Sequence, residues 1–561
     1  MVEIVNDRPR GIKSDFMKNY KSKLLILCLL IVPLLFSFEE PDQRHFEIAK
    51  NMEIFSSVYR EVNKYYVEGA EPGPMMKSGI DAMLKTLDPY TNYIPEEAIE
   101  DYRIMTTGEY GGIGAMIGTR KDRVLVLLPY KGFPADEAGL HIGDEIIVID
   151  GTSTKGKKSD EISKLLRGQA NTELNLEVNR MGEYEPLKFT FERGKVKMKS
   201  VPYFGMLNKE VGYFKLTSFT ATAASEVGNA VRELKSQGAT ELIFDLRDNT
   251  GGLLFQAIDI CNLFIPKDKL VVSTRGKVSD WNKEYKSQKE PLDKDIPLVI
   301  LTNGMSASAS EIVSGVLQDY DRAVVIGQNT YGKGLVQSTF KTAYNSKVKV
   351  TTAKYYIPSG RCIQEIDYGK KDKTGMSHDI PDSLRTKFYT KGGRLVFDGK
   401  GIAPDIKMKQ DTLDEYLIKL GGNDVFFDYA VRYFYTHKGW VPESPTSFKF
   451  SKEDFSDFIS WFNASDYKIE LKAEKNLKAL EEYLYHNDKQ LTDVSDEIEL
   501  RKKDIMIENE ALITDAIQEQ LIAHYFYKAG KIEASLYHDK DLVEAKAILR
   551  DSLAYHTVLV K

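Results

Sequence analysis

The chain has 561 residues, 42% of them apolar and 29% charged, with a formal net charge of −6. That length exceeds one domain, and the composition is that of a globular protein rather than a disordered or fibrous one. The mild negative charge gives no pull toward nucleic acid, and three cysteines, Cys28, Cys261 and Cys362, exclude a disulfide framework.

Residues 24–36, LLILCLLIVPLLF, form an apolar run preceded by Lys18, Lys21 and Lys23. A basic stretch before an apolar core of this length reads as a secretory signal, and it is short for a membrane-spanning helix of roughly 20 residues. The expectation is export to the periplasm or cell envelope. An uncleaved tether to the inner membrane is the alternative, because no clear Ala-x-Ala site follows Phe36. Met17 is a candidate start, since the first sixteen residues are unlike a signal leader. Residues 1–38 are therefore set apart as signal peptide or anchor.

Ile48, Met52, Ile54, Val58 and Val62, then Met76, Ile80, Met83 and Leu84, recur at helical spacing. They predict an N-terminal helical segment within 45–103, with a turn at Asp88-Pro89-Tyr90. Residues 104–195 form a β-rich module: strands are predicted over 124–128, 145–149, 174–178 and 187–191, and a helix over 159–166. Within a segment set at 196–410, residues 211–360 alternate strand and helix, the pattern of an α/β domain. Strands are predicted over 211–216, 242–246, 297–302, 323–326 and 348–356, and helices over 223–237, 253–263 and 309–318. Residues 365–395 read as a loop or insert. Cys261 and Cys362 read as small buried hydrophobes. From 411 to 561 the chain is helical and charged, with Ile469, Leu471, Leu477, Leu480, Ile505, Ile513, Ile517 and Leu521 on amphipathic faces. This tail packs on the rest of the chain or on a partner, and a homodimer is one way to cover such faces.

Residues 303–311, NGMSASASE, follow an apolar strand and lead into a helix. Small neighbours, Ala307 and Ala309, leave room around Ser308 for a substrate carbonyl, and the helix start adds partial positive charge. The bland reading of such a serine-rich start is an N-cap. Lys333 lies 25 positions on, between Gly332 and Gly334. Burial among Gly332, Leu335 and Val336 would favour its neutral amine, which could then take the Ser308 proton. None of the eight histidines falls between 211 and 360, so a lysine base is simpler than a Ser-His-Asp triad. Residues 327–333, GQNTYGK, match seven positions of a phosphate-binding loop. Gly334 stands where Ser or Thr is required and a strand pattern follows, so nucleotide binding is rejected. No His-Glu-x-x-His or Cys-x-x-Cys occurs, so no metal or cofactor is expected. Arg247-Asp248-Asn249-Thr250-Gly251-Gly252 supplies a second glycine turn after a strand, whose N–H groups could face an oxyanion together with that of Ala309.

These motifs occur in register over roughly residues 45–410, with Tyr355-Tyr356-Ile357-Pro358-Ser359-Gly360-Arg361 as a further mark. Together they resemble the C-terminal processing peptidases, or tail-specific proteases. The resemblance implies a mixed α/β multidomain fold: a PDZ domain and a crotonase-like protease core, with helical segments at both ends. It implies Ser308 as nucleophile, Lys333 as base, Gln337 as the residue that orients the lysine, and Ala309 with either Gly251 or Gly252 as oxyanion donors. Gly112, Ile113, Gly114 and Ala115 resemble the carboxylate loop of a PDZ domain, supported by residues 134–140, PADEAGL. Arg167 matches a position that senses substrate in relatives. Thr250 and Met305 depart from the residues common at their places. The function implied is an exported serine endopeptidase whose protein or peptide substrates dock by exposed, apolar C-termini. The alternatives are a PDZ scaffold with an inactive core and a coenzyme A thioester enzyme on the same architecture.

Overall fold

The computed structural model describes residues 43–560 except 374, 410–411, 438 and 485–488. The expected signal or anchor at 24–36 lies outside the described residues. The chain divides into two units, of which the first ends at Met83. In that unit, helix α1 (Gln43–Tyr65) is followed by α2 (Pro72–Lys85), and the Tyr59 hydroxyl donates to the Pro72 carbonyl at 2.9 Å. No residue of α1 is buried. Its apolar spacing identifies which residues share a face, not what covers that face.

The second unit, 84–561, holds three sheets of consequence. Strand β1 (Asn92–Ile94) belongs to one of them. A six-stranded sheet runs, on its main path, β2 (Ala115–Arg120), β3 (Arg123–Pro129), β4 (Glu145–Ile149), β5 (Glu173–Asn179) and β6 (Leu187–Glu192), all antiparallel. Helix α3 (Ser159–Leu166) packs Ile162 and Leu166 into its core beside Val126, Ile146 and Leu176. Four strands and the helix fall where the apolar pattern placed them. The edge strand β2 was not predicted, because its burial is only partial along its length and Gly118 breaks any alternation.

The next sheet runs β7 (Tyr203–Met206), β8 (Val211–Lys215), β9 (Glu241–Asp245), β12 (Leu298–Thr302), β13 (Val324–Gly327) and β16 (Ile406–Lys407). Only β7 is antiparallel to its neighbour. Parallel strands joined by helices are buried on both faces, so they read as continuous apolar runs; every residue of β12 and β13 is buried. Leu242, Phe244, Leu298 and Ile300 face α4 (Ala223–Ser236), α5 (Leu254–Asn262) and α6 (Ala309–Asp319). Ile243, Val299, Leu301 and Ile326 face the other way, onto residues far down the chain: Leu542, Ala545, Leu549 and Tyr555.

An antiparallel five-stranded sheet carries β10 (Leu270–Gly276), β11 (Lys283–Lys286), β14 (Leu335–Lys341), β15 (Lys347–Tyr356) and the short β1. Residues 365–395, expected as a loop or insert, contain parts of two small hairpins, Ile366–Lys371 with Ser377–Asp379 and Lys387–Tyr389 with Leu395–Phe397. Their polar composition hid them. Cys261 is buried as expected, whereas Cys362 is only partly so.

The helical region comprises α7 (Glu415–Gly422), α8 (Val425–Thr436), α9 (Lys452–Ala464), α10 (Lys472–Leu484), α11 (Lys489–Glu508), α12 (Glu510–Ser535), α13 (Lys540–Arg550) and α14 (Ser552–Val560). It packs on the β2–β6 module through Phe427, Val431 and Ala523 against Leu125, Leu128 and Ile142. At this contact His524 stacks on Phe434 at 4.5 Å, and its Nε2 is shut from solvent without a hydrogen-bond partner among the described residues. Burial pulls its pKa down to about 3.

A lowered histidine pKa means the unfolded chain takes up the proton first, so stability falls as pH drops below about 6.5. Between pH 7.5 and pH 5 this site is expected to cost about 1–2 kcal/mol. Urea unfolding of the full chain at the two pH values should show that loss shrinking by this amount in His524→Phe.

Candidate active site

Three loops leave the carboxyl ends of adjacent parallel strands, the place where open α/β sheets bind ligands. Residues 246–252 follow β9, 303–308 follow β12 and 328–333 follow β13. Ser308 is the N-cap of α6 with φ 56° and ψ −109°. A non-glycine residue there is strained by about 1–3 kcal/mol and persists only where its surroundings over-determine it.

The surroundings do so. The Ala307 N–H donates to the Asn249 carbonyl at 3.0 Å, the Ser310 hydroxyl to the same carbonyl at 2.8 Å, and the Ser306 hydroxyl to that of Leu246 at 2.9 Å. The two loops are thus stitched together on both sides of Ser308. Gly251 is the close-approach point. At φ 100°, a Cβ there would lie 2.7 Å from the Ala307 oxygen and 3.0 Å from the Ser308 Cβ.

Glu311, one turn into α6, has no exposed surface. Its Oε2 accepts the backbone N–H of Ser308 at 2.7 Å and that of Lys333 at 2.9 Å. Its Oε1 accepts from the Gly332 N–H at 2.7 Å and the Thr330 hydroxyl at 2.6 Å. Burial pushes this carboxyl up to about 7, against the pull of the four donors. The Tyr355 hydroxyl adds a second bridge, donating to the carbonyls of Lys333 at 2.8 Å and Ser308 at 3.2 Å. Ser308 and Lys333 are therefore neighbours through their main chains.

Their side chains are not hydrogen-bonded to one another among the described residues. The Lys333 Nζ lies 4.1 Å from the centre of the Tyr90 ring, in contact with its face. Burial pulls the Lys333 amine down to about 8, and the nearby Lys349 ammonium acts in the same direction. Gln337 makes no hydrogen bond to the lysine among the described residues; its Nε2 donates to the Thr351 hydroxyl at 3.3 Å. A cavity of ≈ 300 Å³ opens alongside, lined by Tyr90, Tyr331, Tyr368, Gln364 and Ile366 among others.

The Gly251 N–H is engaged, donating to Asn249 Oδ1 at 2.9 Å. The Gly252 and Ala309 N–H groups donate to no acceptor among the described residues. Of the glycine pair, Gly252 thus presents the open amide.

In the β2–β6 module, Ile113 is buried, Gly114 has φ 72°, and Ala115 opens the edge strand β2 beside α3. Gly112 ends a short strand paired with Gly194. Arg167 caps α3, pairs with Asp101 and places its guanidinium 5.7 Å from the Tyr110 ring centre.

Residues 210–380 match Peptidase family S41, residues 125–180 match "PDZ domain", and residues 416–549 match "Probable PDZ-protease, C-terminal helical domain". The carboxy-terminal-processing protease of Bartonella bacilliformis is 36% identical over 367 residues, 65% of this chain and 82% of that protein. The chain belongs to the carboxy-terminal-processing proteases of family S41. A "Probable CtpA-like serine protease" of Staphylococcus aureus is likewise 36% identical, over 63% of this protease and 70% of its own length. The solved photosystem II D1 C-terminal processing protease is 26% identical, covering 64% of this chain and 93% of its own, with a TM-score of 0.33.

The protease is thus a PDZ-containing serine-type peptidase with a mixed helix-and-sheet fold. Sequence reasoning missed Glu311, Tyr355 and Tyr90 as parts of the site. For Glu311 a signal existed: Ser308-x-x-Glu311 has the spacing of a capping box. Tyr90 was read only as part of a turn, and no local pattern points it at Lys333.

Whichever way its amide is turned, Glu311→Gln would set an NH2 against at least one buried N–H donor, and it removes the charge that all four donors serve. It is expected to destabilise the full chain by about 2–4 kcal/mol in urea unfolding and to abolish measurable peptidase turnover.

Proposed function

We propose that this protease is an exported endopeptidase that docks the C-terminal tails of protein substrates in its PDZ groove and cuts them by a Ser308-Lys333 dyad. The observation that carries the reading is the buried Glu311 carboxylate, which draws the main-chain amides of the expected nucleophile and the expected base onto one oxygen atom. The strained backbone of Ser308 supports it further, since such strain clusters where a fold must present a reactive group.

In the acylation step, the neutral Lys333 amine takes the Ser308 proton as Oγ bonds to the scissile carbonyl carbon. To do so, Nζ swings off the Tyr90 ring about the rotatable bonds of its side chain. The carbonyl π pair moves to oxygen, and the Gly252 and Ala309 amides receive that charge. Collapse re-forms the carbonyl and breaks the C–N bond, and the leaving amine takes the proton from the Lys333 ammonium. Water then repeats the sequence on the ester with Lys333 again as base, freeing Ser308 and a new carboxylate. Gln337, through Thr351, holds β14 against β15 and so fixes the strand that Lys333 leads into.

A tail entering the PDZ groove would add along the open edge of β2, with its carboxylate at Gly112, Ile113, Gly114 and Ala115 and Arg167 nearby. Apolar side chains suit the buried residues behind that edge. Secretion or a membrane tether through residues 24–36, in the periplasm or envelope, and association as a homodimer complete the reading.

The decisive assay is cleavage of a full-length, tail-bearing protein by purified enzyme. Ser308→Ala and Lys333→Ala are each expected to lower kcat by several orders of magnitude, as for cooperating groups elsewhere. Wild-type cleavage in either variant rules out the dyad. The base works only when neutral, so kcat/KM should rise with pH through about 8, the value to which burial brings Lys333. Lys349→Met removes a charge that lowers this pKa and should move the acid limb of the profile to higher pH.

A further inference from the structure

Arg247 lies in the turn that ends in Gly252, and its guanidinium bonds to Asp245, Asp539 and Asp541. It is 14% exposed and set among three carboxylates. Asp245 accepts from Nε at 3.0 Å and Nη2 at 2.8 Å. Asp539 accepts from Nη1 at 3.0 Å and Nη2 at 2.6 Å, and Asp541 from Nη1 at 3.0 Å. Two of the three therefore come from the start of α13, outside the stretch that matches Peptidase family S41.

Both ends of this connection are firm. Asp539 is the N-cap of α13, accepting from the N–H groups of Asp541 and Leu542 at 2.9 and 3.2 Å. Leu542, Ala545 and Leu549 are buried against Val299, Leu301 and Ile326 of the sheet. The Tyr555 hydroxyl accepts from the Leu298 N–H at 2.9 Å. At the other end, the Arg247 N–H donates to Asp245 Oδ1 at 2.9 Å, so the same carboxylate sets the chain direction as the turn begins. Asp248 follows with φ 65°, its N–H donating to Asn303 Oδ1 at 3.0 Å. The next anchor is Asn249, which fixes Gly251.

An arginine held by five charge-assisted hydrogen bonds has little freedom, and its fork geometry is pre-organised for carboxylates. An amide that receives developing charge must sit within about 0.5 Å of its working place. We propose that Asp539 and Asp541 are positioning residues for the oxyanion turn: through Arg247 they hold residues 246–252 so that the Gly252 amide faces the substrate carbonyl. The inference rests on the reading of Gly252 and Ala309 as oxyanion donors. Neither aspartate touches substrate, and no bond changes at either.

Asp539→Asn is the sharp variant, because asparagine serves as an N-cap as well as aspartate does while removing the charge that faces Arg247. Asp541→Asn tests the second contact without altering the cap residue. Full-length wild type and variants would be compared by amide hydrogen exchange with mass spectrometry over residues 246–253 and 298–302, and by kcat and KM on a tail-bearing peptide. Exchange in 246–253 is expected to quicken about tenfold while β12 is unchanged, and kcat to fall about tenfold with KM within about twofold. That is less than the loss on deleting an oxyanion donor outright. Asp539→Glu should recover part of kcat.

Unchanged exchange in 246–253 overturns the proposal whatever the activity, and so does quickened exchange with unchanged kcat. Equal loosening of β12 would make the cluster a stability element only, which also overturns it. If wild-type cleavage proves independent of Ser308, the dyad reading fails, while the exchange data still decide whether α13 holds the turn.

Discussion

Glu311 has no solvent-exposed surface and four donors aimed at it, and the rest of the site follows from how those donors are distributed along the chain. Taking an isolated carboxylate out of water is prohibitive unless hydrogen bonds replace the lost hydration. Here main-chain amides and one hydroxyl replace it, drawn from the serine loop and the lysine loop at once. The two loops cannot separate without leaving a buried charge and buried donors bare. Because the compensation comes from the Lys333 backbone and not from its ammonium, the side chain is not consumed in an ion pair. Glu311 does raise the lysine pKa somewhat, but burial outweighs it.

The same logic of shared anchoring recurs on the oxyanion side. Asn249 spends its carbonyl on Ala307 and Ser310 and its side-chain oxygen on Gly251. This leaves the next amide, that of Gly252, as the open donor. Strain at Ser308 is tolerated because Ala307 and Ser310 are both held by the Asn249 carbonyl and Glu311 is held by the lysine loop. Geometry is thus concentrated at the strand ends, where the backbone is already held by the parallel ladder.

Much of this was legible in the sequence, for identifiable reasons. Buried parallel strands must be apolar throughout, so β9, β12 and β13 announced themselves, and the small-residue loops after them located Ser308, Lys333 and the glycine pair. What failed were contacts without a local pattern. Burial lowers the Lys333 pKa as expected, but its amine also lies on Tyr90, a residue more distant in sequence than any periodicity can report. The choice between Gly251 and Gly252 turns on one asparagine rotamer. Gln337 was expected at the lysine and is instead bonded to Thr351 across the β14–β15 pair. The half-exposed strand β2 and the polar hairpins within 366–397 carry no strong alternation, and the spacing of α1 marks a face that is exposed.

One face of the parallel sheet is covered by helices that alternate with its strands, but the other is covered by α13 and α14. A ribosome delivers β8 through β13 long before it delivers residues 540–560. Until then the nascent sheet has Ile243, Val299, Leu301 and Ile326 with no native cover from those helices. Burial of that face is thereby tied to the arrival of residues 540–560: a product lacking them would carry the Ser308 and Lys333 loops on a half-clothed, aggregation-prone scaffold.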